Sequence, residues 1–272
     1  ANEHFHIDRT IATANRRHRF CVVEVSATKP GYLDRSVRTI RPSIAAITLI
    51  GREHYSAFKS LEAIAAEKAK LVSGLPPDGV AVLNIDDPFV RSIGEQHGGR
   101  VFWVGSDARA DLRLLDCSST WPEPLVLRVC HQGREAEIRT RLHGVHLALP
   151  VIMATGVAMA AGASLDDAIA ALSEVEASEA RMQLVPTEDG VTFVRDDWKA
   201  PQWSLQAPFE FMRAARAARK IIVIGTISDS PKSPTQRYAH AAREARKVAD
   251  LVVLIGTPAL AAIKTNADAD AS

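Results

Sequence analysis

Lys68 is placed where a charge is expensive. Residues 44–50 form an unbroken apolar run of strand length, read as a strand covered on both faces. Gly51 ends it, and Glu53 and His54 follow at once, at the carboxyl edge where open α/β sheets bind ligands. Ser60 then predicts an N-cap for a helix from Leu61 to about Val72. At ~100° per residue, Leu61, Ile64, Ala65, Leu71 and Val72 share one stripe of that helix. Lys68 falls in the middle of the stripe, and Lys70 falls on the opposite, polar face. An ammonium in a core must lose its charge, reach water along its stem or meet an anion. A second apolar run, residues 20–26, reads as the first strand and carries Glu24 near its carboxyl end. A carboxylate so placed is either a structural ion-pair partner or a ligand for a hard cation. Polar side chains gather a third time after the strand at 79–84, as Asn84, Asp86 and Asp87.

The elements that must position these groups alternate strand and helix. After the turn at 76–79 come the strand at 79–84, a helix at 88–95 and a strand at 100–105, a βαβ order that predicts a parallel sheet. Upstream, Tyr32 begins a short basic helix that ends before Pro42. Residues 125–130 and 135–142 alternate as a hairpin about Gln132–Gly133, a small antiparallel unit at the sheet edge. An Ala-rich helix at 145–161 tolerates Pro150 in its first turn, and Ser164 with Asp167 caps another at 165–175. From about residue 180 a second α/β pattern begins: a strand at 191–194, buried-type strands at 220–225 and 250–256, and a helix at 239–248. A polar Ala/Asp tail at 266–272 has the composition of a disordered segment. The expected organisation is a domain over residues 1–180 followed by an incomplete α/β domain over 181–272.

Composition narrows the function classes. The chain has 272 residues, 47% of them hydrophobic and 24% charged, as in a soluble globular protein. A net charge of +1 predicts no electrostatic affinity for nucleic acid or a membrane surface. Three widely spaced cysteines suit a reducing compartment, and no apolar run is long enough to span a bilayer. A cytoplasmic location is the expectation.

Taken in order, these segments resemble the Mur ligase family, the ATP-dependent amide ligases that build the peptidoglycan stem peptide. The resemblance rests on VVEVS with Glu24, ITLIGREH with His54, SLEAIAAEKAKL with Lys68, VLNIDDP with Asn84, LHGVH with His146, ARM with Arg181, and DDWKAP with Asp197. The ITLIGREH and SLEAIAAEK segments are most similar to members that add D-alanyl-D-alanine. The implied fold is a mostly parallel, P-loop-NTPase-like central sheet followed by a Rossmann-like domain. The resemblance further implies ATP and Mg²⁺, with Glu24 and His54 holding the metal. Lys68 matches a family lysine that is carbamylated into an oxygen donor near a second Mg²⁺. Asn84 would face the adenine, Arg181 the phosphates and Asp197 the ribose, with His146 in the same nucleotide-binding set. The implied substrates are small: a carboxylate acceptor and an amino acid or dipeptide, joined through an acyl phosphate.

The chain also departs from the family pattern. No G-x-x-x-x-G-K-[ST] phosphate loop occurs in these residues. The basic-hydroxyl pairs Lys59–Ser60 and Lys232–Ser233 lack its glycines. His146 begins HLALP where relatives have HNxxN, and Trp198 and Lys199 stand where relatives have a Tyr-Asn-Ala-Asn-Pro or Ala-His-x-Pro segment. Trp198 and Trp203 read as core or domain-contact aromatics. The expectation is therefore either part of a longer ligase or a reduced relative that no longer uses ATP. Two other readings stay open: a folate-glutamate or polyamino-acid ligase of the same architecture, and a non-catalytic scaffold that binds a protein partner.

Overall fold

A computed structural model describes residues 4–228 and 233–256; the polar tail at 266–272 and Lys232 lie outside the described residues. In chain order the elements are α1 (His4–Thr13), α2 (Tyr32–Ile40), β1 (Ile44–Ile47), α3 (Tyr55–Phe58), α4 (Leu61–Ser73), β2 (Val80–Asn84), α5 (Pro88–Gln96) and β3 (Arg100–Gly105). There follow β4 (Leu112–Ser118), β5 (Val126–His131), β6 (Arg134–Arg139), α6 (Ala148–Ala160) and α7 (Leu165–Leu172). The last are β7 (Gln183–Pro186), β8 (Thr192–Arg195), α8 (Gln206–Ala214), β9 (Ile221–Ile224), α9 (Pro234–Arg246) and β10 (Leu251–Leu254).

Six strands form one sheet in the order β1-β2-β3-β4-β5-β6. β1 to β4 run parallel, with Ile44 opposite Val80, Val80 opposite Arg100 and Val104 opposite Leu112. β5 and β6 make the expected hairpin, turned by Gln132 at φ 50° and Gly133 at φ 79°, the paired left-handed geometry that matches strand twist. The α/β class, the mostly parallel sheet and the antiparallel edge unit all stand. Chain contacts divide the protein into two compact units: residues 1–116, 128–136 and 149–169, and residues 117–127, 137–148 and 170–272. The first unit's core joins Leu33, Ile47, Ile64, Val72, Leu83 and Val90. In the second, β9 and β10 pair in parallel, joined by α9, and Ile222, Ile224, Tyr238 and Ala245 fill a smaller core. β7 and β8 pair antiparallel.

Three strand expectations need correction. Residues 20–26 are not a strand; they join no ladder among the described residues, and Phe20 is 61% and Val22 87% exposed. Apolar composition cannot make a strand unless a neighbouring backbone takes its N–H and C=O groups. The run at 44–50 pairs only through Ile47, and as the edge strand it alternates buried Ala45 and Ile47 with exposed Ala46 instead of being covered on both faces. β9 and β10 likewise bury one side only, leaving Ile221, Val223, Leu251 and Val253 exposed among the described residues. Trp198 and Trp203 are exposed rather than core.

Helix α5 approaches the sheet closely because Gly94 has no side chain. A Cβ there would stand 2.2 Å from Cη2 of Trp103 and 2.7 Å from Cδ1 of the fully buried Leu83. Gly94→Ala is therefore expected to destabilise the fold by about 2 kcal/mol, overpacking outweighing the gain in helix propensity. Denaturant midpoints of the two proteins check it.

Candidate functional site

The carboxyl ends of β1 and β2 are held by the polar cluster that follows β2. Asn84 Nδ2 donates to the Thr48 carbonyl at 2.8 Å, and Asn84 Oδ1 accepts from the Asp86 N–H at 3.0 Å. Asp86 accepts from the N–H groups of Ser106 at 2.7 Å and Asp107 at 3.1 Å, tying down the loop after β3. Asp87 caps α5 through the N–H groups of Phe89 and Val90 and reaches back to the Ile50 N–H at 2.9 Å. Pro88 then fills the first helical position, where a missing N–H costs nothing. This cluster is first of all a bracket that sets the rim. Asn84 is buried, with one amide hydrogen and one lone pair beyond these two bonds.

On that rim a small pocket of about 60 Å³ is lined by Glu24, Ser26, Glu53, His54, Ile64 and Lys68 among others. The structure thus brings Glu24, His54 and Lys68 together from three separate segments. His54 is held in the left-handed region at φ 55°, the strained backbone that tends to persist where a side chain must be aimed. Its Nε2 lies 3.4 Å from Ser26 Oγ. Glu24 reaches the pocket from the irregular segment before Ser26, not from a strand.

Helix α4 forms as expected, with Ser60 Oγ accepting the Ala63 N–H at 3.1 Å. Its stripe differs in detail. Lys68 is half-buried, and its Nζ donates to the Leu49 carbonyl at 3.1 Å. Burial lowers its pKa from the usual lysine value, against the pull of the Glu53 and Asp87 carboxylates. Lys70 is not on a free polar face: it pairs with Asp34 of α2 at 2.9 Å and with Glu67 at 3.0 Å. The charged side chain that the helix does bury is Glu67, 4% exposed, which accepts the N–H groups of Gly31 at 2.9 Å and Leu33 at 2.8 Å.

His146, Arg181 and Asp197 belong to the second unit. His146 lies in a single 3₁₀ turn, Val145–Leu147, and is half-buried. Burial lowers its pKa and Asp196 opposes the shift, so the neutral imidazole is favoured. Arg181 is exposed between Ala180 at φ 56° and Met182 at φ 50°. The β7–β8 ladder opposes Gln183 to Arg195, and beyond it Met182 N–H donates to Asp196 Oδ1 at 3.3 Å and Trp198 N–H to the Ala180 carbonyl at 3.2 Å. Asp197 accepts two bonds from the Arg195 guanidinium, each 3.2 Å, which hold its carboxyl below the usual range.

Ser26 and Glu67 were not singled out in the sequence, and Glu53, Asp86 and Asp87, noted there at the strand ends, were given no role. Asp87–Pro88 carried a local signal, an N-cap followed by proline; Glu67 carried none, because its partners lie in another helix. Among the described residues no three His, Cys, Asp or Glu side chains form a metal-ligand cluster, and no helix is long and apolar enough to cross a membrane.

Comparison with known proteins adds an independent line. The Mur ligase middle domain matches residues 1–158. A Mycobacterium bovis UDP-N-acetylmuramoyl-tripeptide–D-alanyl-D-alanine ligase is 31% identical over 207 residues, which is 73% of this chain and 39% of that protein. The Bacillus subtilis protein of the same name is 24% identical over 225 residues, 82% of this chain and 48% of the other. The chain therefore spans two fifths to half of the length of these relatives. The fold is also that of MurF from Acinetobacter baumannii, with TM-score 0.89 and 21% identity over 98% of this chain and 57% of that one. With the middle-domain match running from residue 1 to 158 and a relative at 31% identity, this chain belongs to the Mur ligase family.

Proposed function

We propose that this chain is the nucleotide- and metal-binding part of an ATP-dependent ligase that joins a carboxylate acceptor to an amino acid or dipeptide in cell-wall precursor synthesis. The D-alanyl-D-alanine-adding type is the specific reading, supported by the names of the relatives. The observation that carries it is the convergence of Glu24, His54 and Lys68 on one pocket at the sheet rim.

The donors there suit Mg²⁺, which takes one or two protein carboxylates and completes its shell with water and substrate phosphates. Glu24 and His54 would hold the ion, with the Glu53 carboxylate beside them. Bound there, Mg²⁺ would neutralise phosphate charge during transfer to the acceptor carboxylate. Lys68 as an ammonium is no ligand. Its lowered pKa enlarges the neutral-amine fraction, whose nitrogen lone pair can attack CO₂; one proton leaves, and the resulting N-carboxylate is an anionic oxygen donor. Asn84 is assigned to the adenine, Arg181 to the phosphates and Asp197 to the ribose, with His146 in the same set. A MurF of this fold from Thermotoga maritima, TM-score 0.72 and 18% identical, was solved in complex with ADP.

The test is phosphate release from ATP by the full product of the gene that encodes these residues. Release is expected only with both the UDP-sugar tripeptide and D-alanyl-D-alanine present. Equal release without the amine would refute ligation. The 272-residue chain alone is expected to bind MgATP weakly, since these residues contain no glycine-rich phosphate cradle. Titration calorimetry checks this, and tight binding would remove the loop's importance. A second reading, a scaffold that no longer uses ATP, draws on HLALP in place of HNxxN.

A further inference from the structure

The other end of β3 carries a second concavity. A cavity of about 480 Å³ in the first unit is lined by Arg100, Phe102, His131, Arg134, Met159 and Ser164 among others, none of which touches the rim pocket. β3 runs from Arg100 to Gly105, so the two ends of the strand are roughly 16 Å apart at ~3.3 Å per residue.

The lining is chemically specific. Arg100 is exposed at the start of β3, and its guanidinium has no ion pair or hydrogen-bond partner among the described residues. Arg134, by contrast, forks onto Asp166 at 3.0 and 2.6 Å, which fixes its position and matches its charge. His131 Nδ1 lies 2.7 Å from the Asp111 carbonyl. A carbonyl oxygen only accepts, so Nδ1 carries the hydrogen and Nε2 is the nitrogen left for a ligand. Ser164 Oγ is spent on the cap of α7, accepting the Asp167 N–H at 3.1 Å. Gln132 adds a polar side chain, and the apolar part of the wall is Phe102, its ring centroid 6.0 Å from that of His131, with the thioether of Met159. One uncompensated guanidinium beside an aromatic and a sulfur surface suits a ligand with an acid group at one end and a ring at the other.

We propose that this cavity is an accessory site for a small aromatic anion, with a phosphate or carboxylate on Arg100 and the ring against Phe102 and Met159. Its volume lies within the range of pockets that hold small organic ligands. The site is independent of the ligase reading, because it shares no residue with the rim.

The test is an amide NMR titration of the 272-residue chain with phenyl phosphate and, separately, benzoate. Saturable shifts are expected at residues 100, 102, 131 and 134, with the rim residues His54 and Lys68 unmoved; the tighter of the two acids identifies the acid group. Arg100→Gln, an exposed change whose fold is checked by its own spectrum, is expected to weaken binding about tenfold or more. Shifts that do not saturate, or affinity unchanged in Arg100→Gln, would overturn the site. Inorganic phosphate binding as tightly as phenyl phosphate would overturn the role of the ring.

Discussion

Lys68→Ala in the full gene product is expected to lower the ligation rate by about 10²- to 10³-fold, the scale of losing one pre-positioned charge-stabilising group. Added acetate or formate is expected to restore part of that rate, because a small carboxylate can occupy the space of the missing N-carboxylate. Lys68→Arg keeps the positive charge, cannot add CO₂, blocks the space, and should be neither active nor rescued. The reasoning begins with the helix: α4 leaves Lys68 half-buried with one hydrogen bond, to the Leu49 carbonyl, and burial outweighs the attraction of Glu53 and Asp87. A lysine with a lowered pKa holds more neutral amine at a given pH. CO₂ addition also releases a proton, so occupancy should rise with pH at fixed dissolved CO₂. Labelled bicarbonate should give a carbamate signal that disappears in Lys68→Ala. A merely structural Lys68 would alter thermal stability but show neither rescue nor that signal, and a scaffold would retain its partner and have no turnover to lose.

Glu67→Leu is expected to cost about 3 kcal/mol of stability, from the buried Leu33 N–H and the Gly31 N–H left without their acceptor and a broken ion pair. Glu67 belongs to α4, yet its carboxylate satisfies the Gly31 and Leu33 N–H groups at the start of α2 and meets Lys70. Burial alone would raise its pKa; the backbone bonds from Leu33 and Gly31, with Lys70, outweigh it and the net shift is downward. The sign follows from linkage. With the folded pKa below the unfolded value of ~4.3, the contribution is fully present above that value and is lost as pH falls through the folded pKa. The stability gap between the native protein and Glu67→Gln, measured by urea denaturation, should therefore narrow below about pH 4 and be constant near neutrality. A gap that widened in acid would mean that desolvation, not hydrogen bonding, governs this carboxylate.

The two outcomes are linked through one helix. α4 turns Lys68 toward the rim only if its other side is pinned to α2, and Glu67 with Lys70 supplies that pin. Loss of stability in Glu67→Leu should thus be accompanied by a weaker Lys68 carbamate signal at temperatures where the chain is still folded.

Local chemistry in the sequence was enough for much of the fold. Ser60 as a cap, Asp87–Pro88 as a helix start, Gln132–Gly133 as a hairpin turn and the apolar runs of β2 and β3 act through neighbours a few residues away, so their consequences were legible in order along the chain. The grouping of Glu24, His54 and Lys68 came from the family resemblance, and the structure places all three around one pocket. Whether residues 20–26 pair into a sheet was not a local matter, since a strand needs another backbone to form a ladder, and this segment joins no ladder among the described residues. Nor could periodicity tell Glu67 from Lys68 as the buried charge, because the deciding partners, the free N–H groups of α2, lie more than thirty residues away. Residue types set which contacts were chemically worthwhile; the tertiary structure alone selected which polar groups were close enough to make them.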